Sequence, residues 1–453
     1  MRTTTTATTT TTLRAVLDFD LADYVRHARA EGRDHLDPEL RAWMAEAYED
    51  IVVLLALDRD RLTRQERAVL RFAELVFQAE WKLALPGGES PQEVAARGGG
   101  PLDRRGKRYQ PYGNVRFLNH VLGTRAHAPD GAVERACWQA IRATAAGWRA
   151  YEQRTVEGTE KWAQDALPSA AQLTERIARL GSLVSLTAGR APALRPASAE
   201  PPRHWQDYLL PHGRADILEY LAVLPQTTQH DEVTFMRVIH LVEATTWGVL
   251  ARVMSAAEWL RAGQWEYATE CLERAATMAA AQTEALLVMR RTMPVEHFHG
   301  FREATGDASA VQAFPTQLLH IHLLGVHPEK VEALGEATEN SYVLMHQNPD
   351  FEPLRDLLRW VPDEESGQRV LDAAYRLDQE LFAWRKVHYG VALRYLSPEA
   401  TGSGGTSGAP YLRGFYQDRL FDADRTLLPQ HRTAGTAVLD PWIRARSALS
   451  PFN

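Results

Sequence analysis

The chain has 453 residues, of which 45% are hydrophobic and 24% charged, enough to bury one large core or two ordinary ones. Its net charge of −7, together with the lack of any basic run, argues against non-specific nucleic-acid binding. No apolar stretch approaches the roughly 20 residues that span a bilayer, and the N-terminus has no signal-peptide core, so we expect a cytoplasmic protein without a membrane partner.

The first 190 residues are predicted to be helical after a short tail. Residues 1–12 are mostly threonine and cannot bury apolar surface, so we expect them to be disordered. Thr63-Arg-Gln-Glu66 has the pattern of a capping box in front of an apolar helical stripe. Residues 86–115 are rich in Gly, Pro and Arg and are predicted to be a long loop, either a functional lid or subunit contact, or a mobile connection.

Domain organisation is predicted from one stretch of prolines and small residues. Residues 191–204 have the composition of a semi-rigid linker. We therefore predict a helical N-terminal domain of unknown role at 13–190, a second domain at 205–440, and a C-terminal tail at 441–453.

Beyond the linker, apolar residues recur at helical spacing. They predict long helices at about 234–260, 265–293 and 372–395. Asp231 and Glu232 suit the first turn of the first of these helices, where carboxylates face the positive end of the helix dipole. The predicted fold class is all-α.

His388 lies in the middle of the apolar face of the last predicted helix. An uncompensated polar group in a core costs roughly 1–3 kcal/mol, so an imidazole there is either satisfied by a buried hydrogen bond or bound to a metal. Five other histidines are candidate metal ligands: His297, His299, His320, His322 and His327. Their spacing is not that of a zinc site, which disfavours a non-haem metal.

Cys137 and Cys271 stand in no C-x-x-C context and suggest neither a disulfide framework nor a c-type haem attachment. The glycine-rich stretch Gly402-Ser-Gly-Gly-Thr-Ser-Gly408 has no lysine after its last glycine and no strand before it, so it is neither a Walker A loop nor a Rossmann turn. It is either a flexible linker or a loop that closes over a ligand.

Three segments together resemble a known family. Trp384-Arg-Lys-Val-His388, followed by the glycine-rich loop and Tyr411-Leu-Arg413, resembles the end of the tryptophan 2,3-dioxygenase and indoleamine 2,3-dioxygenase superfamily. The resemblance implies that His388 is the proximal ligand of haem iron and that Trp384 and Gly404 lie at the cofactor. It also implies that the loop closes over the substrate, with Ser403 in place of the family threonine.

The second segment is Phe298-His-Gly-Phe-Arg302, with Ser309 and Gln312 further along the chain. It resembles the family pattern F-x-x-F-R-x-x-x-x-x-A-S-x-x-Q. The resemblance implies that Arg302 pairs with the carboxylate of an amino acid, Phe298 walls the indole, and Ser309 lies near a haem propionate. A guanidinium fork suits a planar carboxylate because two parallel charge-assisted hydrogen bonds fix its orientation.

The third segment lies just beyond the predicted linker. Trp205-Gln-Asp-Tyr208-Leu209 is similar to the family's Y-x-x-Y-L, which in the tryptophan dioxygenases reaches into a neighbouring subunit's pocket. The similarity implies a substrate contact from Tyr208 and a homo-oligomer, either a dimer or a tetramer. Gln229-His-Asp-Glu232 is close to the H-D-E signature, and alignment from His230 places Phe235 at a substrate-pocket phenylalanine.

At the distal catalytic position the chain departs from the tryptophan dioxygenases. The alignment places Ile239 where they have the distal histidine, and His240 follows about 100° further round the helix. Either the distal base is absent, as in the indoleamine branch, or a local bulge brings His240 inward. An ordinary partly buried histidine is the alternative interpretation of His240.

The resemblance implies a haem-binding helical bundle of tryptophan-dioxygenase type at 205–440, with haem b as cofactor and O2 as co-substrate. The expected activity is the insertion of O2 into the indole ring of L-tryptophan or a derivative, with ring opening. Two alternatives are a haem-dependent monooxygenase that tailors an aromatic amino acid or intermediate in secondary metabolism, and a haem-binding protein without turnover.

Overall fold

The computed structural model describes residues 13–57, 62–84, 109–123, 130–306, 313–325, 351–396, 412–413 and 418–428. These residues form helices, joined by turns and irregular segments, and no strand occurs among them beyond two isolated bridges. The predicted all-α class is therefore confirmed. The predicted tails, Ser309 and the Gly402–Gly408 loop lie outside the described residues.

The longest helices occur where apolar periodicity predicts them, and the Thr63–Glu66 capping box is present in front of α3. The α-helices are α1 Leu21–Glu31, α2 Pro38–Leu57, α3 Arg64–Ala84, α4 Tyr109–Gly113, α5 Val115–Leu122, α6 Asp130–Val156, α7 Ala170–Leu186, α8 Trp205–Leu209, α9 Gly213–Asp216, α10 His230–Arg261, α11 Trp265–Thr292, α12 Val295–Phe301, α13 Phe314–Leu324, α14 Leu354–Leu357 and α15 Glu365–Tyr395. No helix in the described part of the chain has the length and apolar character needed to cross a membrane.

Contacts divide the described residues into two compact units. The first lies within Met1–His127, Gln139–Leu241 and Val288–Ala308, and the second lies within Ala128–Trp138, Val242–Leu287 and Ser309–Asn453. This division differs from the predicted one at the linker, since residues 139–190 and 205–241 share the first unit.

An aromatic cluster and a buried ion network explain why the first unit joins residues from both sides of the linker. Trp205 at the start of α8 packs on Phe19, with 5.9 Å between ring centroids, and on Phe77 at 5.8 Å. Its indole N–H donates to the carbonyl of Val16 over 2.7 Å. Burial of such large rings is the main source of stabilisation in this part of the unit.

Arg176 of α7 is the centre of the buried ion network. It pairs with Glu152 of α6 at 2.9 Å and with Asp231 of α10 at 2.8 Å, and its guanidinium also donates to the carbonyl of Thr292 at 3.1 Å. Glu152 also contacts Nε2 of His230 at 2.9 Å. Charges buried in this way are tolerated only when paired, so this network fixes the mutual register of α6, α7, α10 and α11.

The predicted linker is non-helical, as expected, and hydrogen bonds and an ion pair attach it to the first unit. The amide of Ser198 donates to Oδ1 of Asp216 over 2.6 Å, and Arg203 pairs with Asp20 at 2.8 Å. These contacts restrict the conformational freedom of residues 191–204, in addition to the restriction that their proline content predicts.

The prediction of a loop at 86–115 is wrong for the C-terminal end of this segment. Tyr109–Gly113 form the short helix α4, and Asn114 adopts a left-handed backbone conformation with φ of 49° before α5 begins. Pro111 and Gly113 are weak helix formers, which is why local sequence favours a loop here. Burial of Tyr109, Pro111, Tyr112 and Gly113 overrides that local preference.

Within the second unit, close packing and ion pairs hold the helices. A side chain at Gly248 of α10 would meet Sδ of Met278 in α11 at 1.9 Å, so a larger residue at this position would require the Met278 side chain to move. Glu134 of α6 pairs with Arg252 at 3.0 Å and with Arg274 at 2.7 Å.

Candidate functional site

The first unit contains an aromatic cluster on α10 and α12. The ring of Phe235 lies 5.9 Å from that of Phe298 and 5.6 Å from that of Phe301. Tyr112 of α4 adds a fourth ring, 6.3 Å from Phe235. Phe298 and Phe301 are buried whereas Phe235 is partly exposed, so the cluster has one apolar face that a planar aromatic ligand could extend.

Arg302 immediately follows this cluster at the end of α12. Its guanidinium lies 6.0 Å from the centre of the Phe298 ring and donates to Oγ1 of Thr305 over 2.7 Å. Burial lowers the pKa of Arg302, and no carboxylate of the described residues pairs with it. A partly buried guanidinium beside aromatic rings and without a protein carboxylate is suited to bind the carboxylate of a ligand.

Ile239 and His240, the two candidates for the distal position, both contact Gly113 of α4. Nε2 of His240 lies 2.6 Å from the carbonyl oxygen of Gly113, to which it donates, and burial lowers the pKa of this imidazole to about 4. His240 is therefore neutral at pH 7 and bound to the backbone of α4, and its Nδ1 is buried without a hydrogen-bond partner among the described residues. Ile239 packs against Gly113, whose added side chain would lie 3.3 Å from Cγ2 of Ile239.

The predicted acidic pair at the start of α10 makes tertiary contacts as well as facing the helix dipole. Asp231 accepts from Nδ1 of His297 over 2.7 Å and thereby attaches α12 to the buried ion network. Glu232 accepts from the amide of Gln226 at 2.9 Å and from the amide of Thr227 at 2.8 Å. Burial raises the pKa of Glu232 to about 7 in spite of these bonds, because no cation of the described residues pairs with it.

No protein-family model and no curated protein matches this chain.

In the second unit, α15 contains the proposed haem ligand. Burial lowers the pKa of His388 to about 4, so its imidazole is neutral at pH 7. Its Nδ1 is buried and has no hydrogen-bond partner in the described part of the chain. The imidazole stacks on the buried ring of Trp384, with 5.7 Å between centroids and 26° between planes. A neutral imidazole with an unsatisfied nitrogen is the form that binds iron.

Residues 418–420, beyond the glycine-rich stretch, are fixed to α13 and α15. Asp378 accepts from Arg419 at 2.7 Å and from the amide of Leu420 at 2.9 Å. Asp418 accepts from Nε2 of His320 at 3.1 Å, and its carbonyl accepts from Arg385. The predicted roles of Ser403 and Gly404 lie outside the described residues.

Tyr208 does not have the position that the resemblance implies. It is buried inside its own chain, with its ring 6.0 Å from that of Phe72 in α3. A side chain in this position cannot reach into a neighbouring subunit, so the structure does not support the predicted substrate contact. The reason is that the N-terminal helices cover α8, which local sequence does not reveal.

The remaining histidines of the described residues make other contacts or are exposed. Among the described residues, no group of three or more His, Cys, Asp or Glu side chains is arranged to hold a metal ion. His297 and His320 contact aspartates, His322 packs on Phe351 at 5.3 Å, and His299 is exposed. His327 lies outside the described residues.

Two residues beside the candidate site were not predicted from the sequence, Thr305 and Tyr112. Thr305 is buried and accepts from Arg302 three residues earlier, a spacing at which side chains in a helical turn meet, so this contact could have been predicted. Tyr112 is more than one hundred residues from Phe235 in the chain, and no local pattern connects them.

Proposed function

We propose that this protein is a haem-dependent aromatic oxygenase whose substrate is L-tryptophan or a tryptophan derivative. The observation that supports it most is His388, a histidine kept neutral by burial, with an unpartnered Nδ1 among the described residues, at the position where the W-R-x-x-H motif places a haem ligand. We propose that the reaction inserts both atoms of O2 into the indole ring and opens it.

The proposed roles follow from the chemistry of each side chain. His388 would hold the haem iron, and Trp384 fixes the plane of the His388 imidazole by stacking on it. When bound, haem supplies the iron at which O2 is activated. Arg302 binds the substrate carboxylate, and Thr305 holds its guanidinium in place. Phe235 and Phe298 provide an apolar surface for the aromatic ring.

The second candidate function is haem-dependent monooxygenation of an aromatic amino acid or intermediate, in which an external two-electron reductant is consumed and the second oxygen atom leaves as water. It is favoured by the contact between His240 and Gly113, which holds the imidazole on a backbone carbonyl, and by Ile239, which stands where the motif alignment expects a histidine. An indole N–H need not be removed by a protein base, so dioxygenation remains the first proposal. Labelling with ¹⁸O2 separates them: two labelled atoms in the product support dioxygenation, and one supports monooxygenation.

The test of the cofactor is the absorption spectrum of haem-reconstituted protein beside its His388→Ala variant. His322→Ala is a matched control, because His322 also lies in the second unit and burial lowers its pKa to about 4 as well. We expect a Soret band that is lost or strongly shifted in His388→Ala, is unchanged in His322→Ala, and shifts when L-tryptophan is added. The absence of a Soret band from the wild-type protein would overturn the proposal.

A further inference from the structure

Helix α12, which Arg302 directly follows, lies on the start of α10 in a defined register. His297 and Phe301 are four residues apart on α12 and share one face of that helix. Asp231 and Phe235 have the same spacing on α10. A polar contact joins Nδ1 of His297 to Oδ2 of Asp231 over 2.7 Å. One turn later, an aromatic contact places the ring of Phe301 5.6 Å from that of Phe235. One turn of α12 is therefore aligned with one turn of α10.

Asp231 is a rigid anchor for this alignment, because the buried ion network holds its other oxygen. Oδ1 of Asp231 lies 2.8 Å from Nη2 of Arg176, and both side chains are fully buried. Arg176 is itself fixed by Glu152 at 2.9 Å and by the hydroxyl of Thr292 at 3.0 Å. A satisfied buried network of this kind is rigid, so the interior of the first unit sets the position of His297.

His297 can be replaced without opening the core. Its side chain is 14% exposed at the edge of the unit, whereas that of Asp231 is fully buried. Loss of the imidazole leaves Asp231 paired with Arg176, so no unpaired charge remains in the interior. The next turn of α12 lies against Gln229, since a side chain at Gly300 would be 3.0 Å from Oε1 of Gln229.

We propose that His297 is a positioning residue: its hydrogen bond to Asp231 fixes the place at which α12 presents Arg302 to a ligand. Arg302 follows α12 directly, so a shift of α12 along α10 moves the guanidinium relative to the Phe235 ring. A ligand carboxylate needs the guanidinium at hydrogen-bond distance and in the right direction, so a displacement of about 1 Å weakens that contact. The role rests on the proposed function and involves no contact between His297 and the ligand.

The experiment is calorimetric titration of the haem-reconstituted protein and its variants with L-tryptophan, indole-3-propionate and tryptamine. Tryptamine has the same ring as the other two ligands but no carboxylate. His297→Leu removes the hydrogen bond, and His297→Asn restores a donor, because the asparagine amide nitrogen occupies the place of Nδ1. His297→Ala takes the place of the leucine variant if that variant does not fold. Arg302→Leu tests the proposed function separately.

Tyr151→Phe is the matched control, because it removes a hydrogen bond from the same network in α6 instead of α12. The Tyr151 hydroxyl lies 2.9 Å from Nδ1 of His230, whose Nε2 contacts Glu152 at 2.9 Å. Both Tyr151→Phe and His297→Leu should lower the free energy of unfolding. Only the substitution of His297 should change ligand recognition, so the comparison separates positioning from a general loss of stability.

We expect His297→Leu to weaken the binding of both carboxylates about tenfold and that of tryptamine less than about threefold, with His297→Asn close to the wild type. Tyr151→Phe should bind all three ligands as the wild type does. Three results would overturn the positioning role and leave the proposed function standing: no change in His297→Leu while Arg302→Leu weakens the carboxylates, equal weakening of all three ligands by His297→Leu and Tyr151→Phe, or an asparagine variant as weak as the leucine variant. A wild-type protein that binds none of the three ligands would overturn both proposals.

Discussion

Glu152 stabilises the fold around the proposed site, and its contribution depends on pH in a defined direction. The buried contacts with Arg176 and His230 lower the pKa of this carboxyl from 4.5 to about 2, in opposition to the effect of burial. Each pKa unit corresponds to about 1.4 kcal/mol, so the ionised carboxylate contributes about 3 kcal/mol to the free energy of unfolding at neutral pH. Because the pKa is lowered on folding, this contribution is complete above pH 4.5 and is lost as the pH falls towards 2.

The prediction is tested with Glu152→Gln in urea unfolding experiments at several pH values. At pH 7 the free energy of unfolding of the variant should be about 3 kcal/mol lower than that of the wild type, and this difference should shrink as the pH falls below 4.5. The control is Glu175→Gln, which removes the carboxylate of an exposed pair with Arg179 and should change stability by less than about 1 kcal/mol. If the difference between Glu152→Gln and wild type stays constant from pH 7 to pH 3, the pairing argument is refuted.

Three further predictions follow from single residues. Arg302→Leu should raise the Michaelis constant for amino-acid substrates at least tenfold, with a smaller effect on tryptamine. Equal Michaelis constants for the variant and the wild type in steady-state kinetics would contradict the proposal that Arg302 binds the substrate carboxylate. Burial raises the pKa of Glu232, so the free energy of unfolding of the wild type should fall by about 3 kcal/mol as the pH rises from 4.5 to about 7. Glu232→Gln should abolish this fall, which urea unfolding at both ends of that pH range measures. Gly32→Ala should destabilise the chain by more than about 2 kcal/mol in thermal unfolding, because the added carbon would lie 2.4 Å from the carbonyl oxygen of Gln226 at a φ of 83°. Gly158→Ala, at a φ of 68° with nothing within 4 Å, should cost about 1 kcal/mol, and equal effects of the two substitutions would contradict the steric argument.

The long helices could be predicted from sequence because they are specified by local patterns. Helices α10, α11 and α15 each present apolar residues at helical spacing over many turns. The predicted ends of α10 and α11 lie within four residues of the observed ones, whereas α15 begins seven residues before its predicted start. The capping box before α3 is similarly local, since Thr63 and Glu66 bond to each other's backbone amides.

The positions of Tyr112, Tyr208 and His240 could not be predicted because they depend on contacts distant in the chain. Residues 109–113 have the composition of a loop, and only burial in the first unit makes them helical. Local sequence does not show that Nε2 of His240 donates to the carbonyl of Gly113, a residue more than one hundred positions earlier in the chain. The motif resemblance implies a substrate contact for Tyr208, but it does not show that Phe72 of α3 packs against the Tyr208 ring.

The connection at 191–204 has a practical consequence for dissecting the protein. Its residues are largely exposed, so a protease should be able to cut there. The two fragments would nevertheless stay together, because Arg176 on one side of the cut is bound to Asp231 on the other. A nicked protein should therefore migrate as one particle in gel filtration and separate only in denaturant, and a truncated chain that begins at residue 205 would expose the Trp205 surface and aggregate.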